Sequence, residues 1–144
     1  MAKKLRVGVL GATGMVGQNY IRLLENHPWF EVVYVAASPQ SAGKKYSDAV
    51  GVKWQMPTPI PNNVRDLTVK DASDIESAKG IVDFVFSALD LETKDKTKDL
   101  EFAYAKKGIP VLSNASANRW TDDVPMLIPE INHGHIKIIE SQKK

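Results

Sequence analysis

The chain has 144 residues, 43% of them hydrophobic and 25% charged, with a formal net charge of +2; this suits one globular domain with a real core and is too weakly basic to argue for nucleic acid. Having no cysteine, it can build neither a disulfide framework nor a Cys-based zinc site. No apolar run approaches membrane-spanning length and Met1-Ala2-Lys3-Lys4 does not open a signal peptide, so the expected location is cytoplasmic.

The first strand is Leu5–Leu10, whose near-continuous apolar character suggests burial on both faces, as in a parallel sheet. Gly11-Ala12-Thr13-Gly14-Met15-Val16-Gly17 follows, a glycine turn opening a helix over residues 14–26. Val16, Tyr20, Leu23 and Leu24 recur there at helical spacing, and His27-Pro28 ends it. Phe30–Ala37 is the second strand and 38–45 a polar loop. Residues 46–63 carry Pro57, Pro59 and Pro61 and read as an irregular excursion. A short strand is expected at 67–69 and a short helix at 71–77, capped by Asp71 or Ser73. Residues 81–87 (IVDFVFS) make the next buried strand, 91–107 a helix with Leu100, Ala103 and Tyr104 on one face, and Gly108 its terminator. Strands at 110–113 and 126–128 follow, then a last helix over 132–142 capped by Asn132. Strands alternating with helices imply an α/β, Rossmann-like fold: a mostly parallel sheet with helices on both faces. Residues 1–144 read as a single dinucleotide-binding domain.

The glycine turn carries the functional signal. Glycines let the backbone turn sharply and let a phosphate approach peptide N–H groups, and the helix N-terminus adds partial positive charge there. The spacing is GxxGxxG, not GxGxxG; a purely structural strand-helix turn is the alternative. Cofactor choice is read at the end of the second strand. NAD-binding domains usually place an acidic residue about 20 positions after the glycine loop; here that region is Ala36-Ala37-Ser38-Pro39-Gln40-Ser41. With no carboxylate to repel a 2′-phosphate, with Ser38 and Ser41 as donors and Lys44 or Lys45 as charge, NADP is favoured over NAD, although ordinary loop serines fit the same spacing. In open α/β sheets ligands bind beyond the carboxyl ends of the strands, which adds Ser87, Ala88, Leu89, Asn114 and Ser116; serines at strand ends are also common turn residues. His133 and His135 lack an acidic partner at metal spacing, so no metal site is expected and a solvent-facing or capping role is read for them. Gln142-Lys143-Lys144 reads as a solvated cationic end.

GATGMVGQ at 11–18, AASPQSAGKKY at 36–46, DFVFSAL at 83–89 and SNASANRWTDDVPMLIPEIN at 113–132 together resemble aspartate-semialdehyde dehydrogenases, specifically their archaeal and fungal-type branch. The resemblance runs almost end to end, and its last segment is the most specific. It implies reductive dephosphorylation of aspartyl phosphate with NADPH, for lysine, threonine and methionine synthesis, by a homo-oligomer acting on a small-molecule substrate. It also implies a cysteine nucleophile that forms a thioacyl intermediate and a histidine acid/base, both beyond position 144, so that no catalytic residue is expected in this chain. Gly11, Thr13, Gly14, Met15, Val16 and Gly17 would then surround the pyrophosphate. Ser38 and Ser41 would address the 2′-phosphate, and Ser87, Ala88 and Leu89 would line the nucleotide cleft. Asn114 and Ser116 would lie on the nicotinamide side, with Arg119 a contact to an anionic substrate or else a structural ion pair. Asp90 and Asn118 depart from the proline and histidine that relatives often carry there. Malonyl-CoA reductases resemble the same branch, and a stand-alone, non-catalytic nucleotide-binding module is the reading from another class.

Overall fold

The computed structural model describes residues 2–142; Met1, and Lys143 and Lys144 of the C-terminal cationic cluster, lie outside the described residues. Five strands, β1 (Leu5–Leu10), β2 (Phe30–Ala37), β3 (Lys70–Asp71), β4 (Phe84–Ser87) and β5 (Val111–Ser113), form one sheet in the order β3-β2-β1-β4-β5. Every neighbouring pair is parallel. The order reverses at β1, so the crevice beyond its carboxyl end, between β1 and β4, is where such a sheet takes a ligand.

Both faces of the sheet are covered, as the apolar runs require. On one face Val7 and Val9 of β1 and Val32, Val35 and Ala37 of β2 pack against Ile21 and Leu24 near α1 (Met15–Leu23), Tyr46 and Val50 of α2 (Tyr46–Val50) and Val64 of α3 (Asn62–Arg65). On the other face Leu10, Tyr34, Ala36 and Val85 pack against Tyr104 of α4 (Lys94–Lys106). Val32 and Val35 share a face although three residues apart, because the register slips between Val7 and Gly8 and β2 carries one extra residue there. Each fully buried valine or leucine contributes roughly 1.5–3 kcal/mol. None of residues 114–142 is buried; they run as loop, α5 (Pro129–Asn132) and a 3-10 segment, His133–Gln142.

β1 and β2 fall where the apolar runs place them, and Thr93 caps α4 by accepting from the Lys96 N–H. Gly108 follows α4 with φ +81°, as a terminator does. Other expectations are corrected. Gly14 is the N-cap of α1 and Leu24 its C-cap, and Asn26 turns the chain with φ 54° before Pro28 is reached. The supposed irregular stretch 46–63 holds α2, a 3-10 turn Gly51–Lys53 and the start of α3, because Tyr46 and Val50 are drawn into the core. The strand expected at 67–69 is displaced to Lys70–Asp71, where it pairs with Ala36 and Ala37. Only Ile75–Ser77 of 71–77 is helical, and Asp74 caps it. Residues 126–128 are not a strand, since no neighbouring strand is available to them among the described residues. Asn132 ends α5 instead of capping a helix; its Oδ1 accepts from the Ile128 N–H at 2.7 Å.

At the amino ends of the strands Arg6 ties β1 to β4. Its guanidinium donates to Asp83 Oδ1 at 3.0 Å and to the Gly80 carbonyl at 3.1 Å, and its N–H donates to Asp83 Oδ2 at 2.7 Å. The guanidinium hydrogen bond, then the backbone one, hold the Asp83 carboxyl below its ordinary value of 3.8. A carboxyl depressed by folding adds stability that is fully present above its ordinary value and is lost as the pH falls through the lower folded value. The urea midpoint of the wild-type chain is therefore expected to fall more steeply than that of Asp83→Asn between about pH 5 and pH 3; equal acid-side slopes would overturn the assignment.

Candidate functional site

The turn after β1 is shaped by two glycines. Gly11 has φ +74°, and a Cβ there would stand 2.5 Å from the Ala88 carbonyl oxygen. Gly17 lies in α1, and a Cβ on it would collide with the Gly11 carbonyl and sit 2.7 Å from Ala12 Cα. Both are needed for the helix to seat on the end of the strand. Gly14 differs. Its φ of −77° and ψ of 169° suit any residue, and a Cβ would meet only the Gly11 oxygen, at 3.6 Å. The absent side chain leaves open space in front of α1. No side chain caps this helix, and its first intrahelical bond runs from the Gln18 N–H to the Gly14 carbonyl at 2.8 Å. The N–H groups of Met15, Val16 and Gly17 thus point at that space without a backbone or side-chain acceptor among the described residues.

Two buried polar side chains brace the turn from behind. Gln18, only 2% exposed, donates from Nε2 to the Thr13 and Lys53 carbonyls, both at 3.0 Å, and accepts from the Gln55 N–H at 2.9 Å. Tyr46, fully buried, donates its hydroxyl to the Ala12 carbonyl at 2.7 Å. Burial pushes its phenol well above the usual tyrosine range, so it stays a neutral donor.

On the β2 side, Ser38 and Ser41 close a turn in which the Ser38 carbonyl accepts from the Ser41 N–H at 2.9 Å. Ser38 is exposed and Ser41 half-buried, and neither hydroxyl has a protein partner among the described residues. Lys44 is exposed, while Lys45 pairs with Asp66 at 3.1 Å. On the next strand Asp71 stands in register with Ala37, and its Oδ1 accepts from Ser73 N–H at 2.9 Å and Oγ at 2.7 Å.

On the β4 and β5 side a groove of about 390 Å³ brings together Val16, Ala88, Leu89, Asn114 and Ser116, walled by residues 90–94 and by Thr97. A larger hollow of about 490 Å³, lined by Lys4, Glu25, Phe30 and Asn62 among others, opens at the amino ends of β1 and β2. It lies at the wrong end of the strands for a crevice ligand, so the smaller groove is the candidate site. Asp90, one of the two departures, stands in its wall. Ser87 does not face the groove. It is fully buried, and its hydroxyl donates to Glu101 Oε1 at 2.7 Å. Arg119 is exposed, forms no ion pair among the described residues and is not part of the groove lining. His133 is exposed, and a ring nitrogen of His135 lies 3.1 Å from the Met126 carbonyl.

Sequence reasoning passed over Gln18, Tyr46 and Glu101. Glu101 is 3% exposed and accepts from Ser87, Ser113 and Asn118. The signal was available in the buried set Thr97, Glu101 and Tyr104, spaced four and three apart on α4; a search for apolar faces overlooks a face that is two-thirds polar.

The sheet order, the glycine turn and the bare helix N-terminus behind β1 define a dinucleotide-binding α/β domain. Residues 6–139 match the family described as semialdehyde dehydrogenase, NAD binding domain, and the chain belongs to that family. It is 43% identical over 96% of its length to an aspartate-semialdehyde dehydrogenase of Archaeoglobus fulgidus. To one of Methanothermobacter thermautotrophicus it is 45% identical over 97%. It spans 38% of the length of each of these relatives. The crystal structure of aspartate semialdehyde dehydrogenase with NADP from Candida albicans superposes with a TM-score of 0.84 at 38% identity, covering 97% of this chain and 37% of that one. A Vibrio cholerae aspartate semialdehyde dehydrogenase II, at 20% identity and a TM-score of 0.70, shares the fold.

The glycines separate packing from binding. Gly17→Ala forces backbone apart and is expected to lower stability by about 2 kcal/mol or more. Gly14→Ala is expected to stay within about 0.5 kcal/mol of wild type. Urea unfolding of the two variants checks both; equal losses would overturn the distinction.

Proposed function

We propose that this chain is the NADP-binding portion of an aspartate-semialdehyde dehydrogenase. The observation that carries the reading is the open space in front of α1, where Gly14 lacks a Cβ that the fold would tolerate and the Met15, Val16 and Gly17 N–H groups have no acceptor among the described residues. A pyrophosphate fits that donor set. From there the sheet offers two directions. Toward β2, the Ser38 and Ser41 hydroxyls and the Lys44 ammonium suit a 2′-phosphorylated ribose, since residues 36–45 carry no carboxylate. Toward β4 and β5, Ala88, Leu89, Asn114 and Ser116 line a groove for the nicotinamide end. Bound NADPH would supply the hydride.

Support for the wider reading comes from the relatives, which are named aspartate-semialdehyde dehydrogenases and are more than twice the length of this chain. Reductive dephosphorylation of aspartyl phosphate would then belong to the longer protein, acting on a small-molecule substrate as a homo-oligomer in the cytoplasm. With no cysteine among its 144 residues, this chain cannot form the thioester intermediate that the family resemblance implies, and alone it is inactive in this reading. Arg119, exposed beside the Ser116 end of the groove, is offered to an anionic substrate.

Calorimetric titration of the folded chain is expected to show NADPH binding at least about tenfold tighter than NADH. Ser38→Asp, which puts a carboxylate where the 2′-phosphate would sit, is expected to bring NADH level with NADPH or ahead of it. A folded chain that binds neither nucleotide would overturn the reading.

A further inference from the structure

We infer that Glu101 is a positioning residue that sets the shape of the nicotinamide side of the groove, by holding the ends of β4, β5 and the loop after β5 on one carboxylate. This rests on the dinucleotide reading above and extends it to a residue that touches no ligand. Oε1 of Glu101 accepts from Ser87 Oγ at 2.7 Å and from Ser113 Oγ at 2.5 Å, and Oε2 accepts from Asn118 Nδ2 at 2.8 Å. Ser87 is the last residue of β4 and Ser113 the last of β5.

Each serine passes the constraint on. Having donated its hydrogen to Glu101, the Ser87 hydroxyl accepts from the Leu89 N–H at 3.4 Å, and the Ser113 hydroxyl accepts from the Ala115 N–H at 3.0 Å. Leu89 and Ala115 both line the groove. A hydroxyl has one hydrogen to give, so the carboxylate decides which way both hydroxyls point and thereby fixes the two peptides that face the ligand. Asn118 continues the chain of bonds, since its Oδ1 accepts from Thr121 Oγ1 at 3.1 Å.

A purely structural filler at this position would be apolar. Glu101 is 3% exposed and has no cationic partner among the described residues, and burying a carboxylate without a cation is costly unless several hydrogen bonds satisfy it. A carboxylate, with two oxygens and about four acceptor sites, can accept from three separate segments at once, whereas a carboxamide accepts from two and must donate to the third. The network lies on the β4–β5 side of the sheet, while the Ser38–Ser41 turn lies on the β2 side. It should therefore act on one half of a bound dinucleotide and not on the other.

The test uses NADPH and adenosine 2′,5′-bisphosphate, which carries only the phosphorylated adenosine half. Glu101→Leu is expected to weaken NADPH binding about tenfold and to leave the bisphosphate within about twofold of wild type. Glu101→Gln keeps an acceptor for both serines and offers an N–H to an inverted Asn118 amide, so it is expected to recover most of the NADPH affinity. Ser113→Ala and Asn118→Ala, which each remove one donor, serve should Glu101→Leu fail to fold; each is expected to weaken NADPH alone, by about threefold. Parallel loss of both ligands, or unchanged NADPH affinity in these variants, would overturn the inference. A wild-type chain that binds neither ligand fails the dinucleotide reading itself and this inference with it.

Discussion

Helix α1 sits on the carboxyl end of β1 because nothing but hydrogen projects from Gly17 toward the Gly11 carbonyl. That contact sets the distance between the helix and the strand, and much else follows from it. With α1 seated so low, its unfilled N–H groups stand beside the crevice at the point where the strand order reverses. Gln18 then reaches both the Thr13 carbonyl and the 53–55 backbone, and Tyr46 meets the Ala12 carbonyl from below. The stretch 46–63 is thereby folded back against the turn. A turn braced by two buried, hydrogen-bonded side chains is ordered in advance of any ligand, so little ordering free energy is withdrawn from binding.

The two sides of the crevice are built differently. Beyond β2 the Ser38 and Ser41 hydroxyls have no protein partner among the described residues, which suits recognition of a charged group that brings its own acceptors. Beyond β4 and β5 the Ser87, Ser113 and Asn118 side chains are turned onto Glu101, and small residues, Ala88, Ala115, Ser116 and Ala117, line one part of the groove while residues 90–94 wall the other. The shape of that groove is only as definite as the hydrogen bonds holding its walls. The Ser87 hydroxyl illustrates the division: it lies at a strand end, where a ligand contact was expected, yet it is buried and bonded to Glu101.

The central sheet was legible because its signal is one-dimensional. A strand buried on both faces reads as a near-continuous apolar run, and β1 and β2, interrupted only by Arg6 and Glu31, fall within their runs to the residue. The glycine turn was legible for a similar reason, since the strand, turn and helix are contiguous. Elements held mainly by tertiary contacts were not. α2 spans five residues, too few to be stable by propensity, and exists because Tyr46 and Val50 are buried against the sheet. β3 is two residues long and is fixed by its register with Ala36 and Ala37 rather than by its own composition. At 126–128 the reverse holds: the apolar run is present, Ile128 remains 53% exposed, and no strand lies beside it among the described residues. An apolar run marks a segment able to become a strand, and pairing decides whether it does.

The same reasoning explains which site residues escaped notice. Apolar periodicity finds what excludes water, and it located the strands whose carboxyl ends border the groove. Gln18, Tyr46 and Glu101 work by the opposite rule, polar groups made tolerable in the interior because every bond they need is supplied. Their partners lie 5 to 37 residues away in sequence, too scattered for any local pattern to register. What does register is the anomaly on two of the helices: a glutamine beside Gly17 on the seated face of α1, and a glutamate one turn from a tyrosine on the inward face of α4. Read as sites of polar burial rather than as breaks in an apolar stripe, these positions mark the supports of the groove.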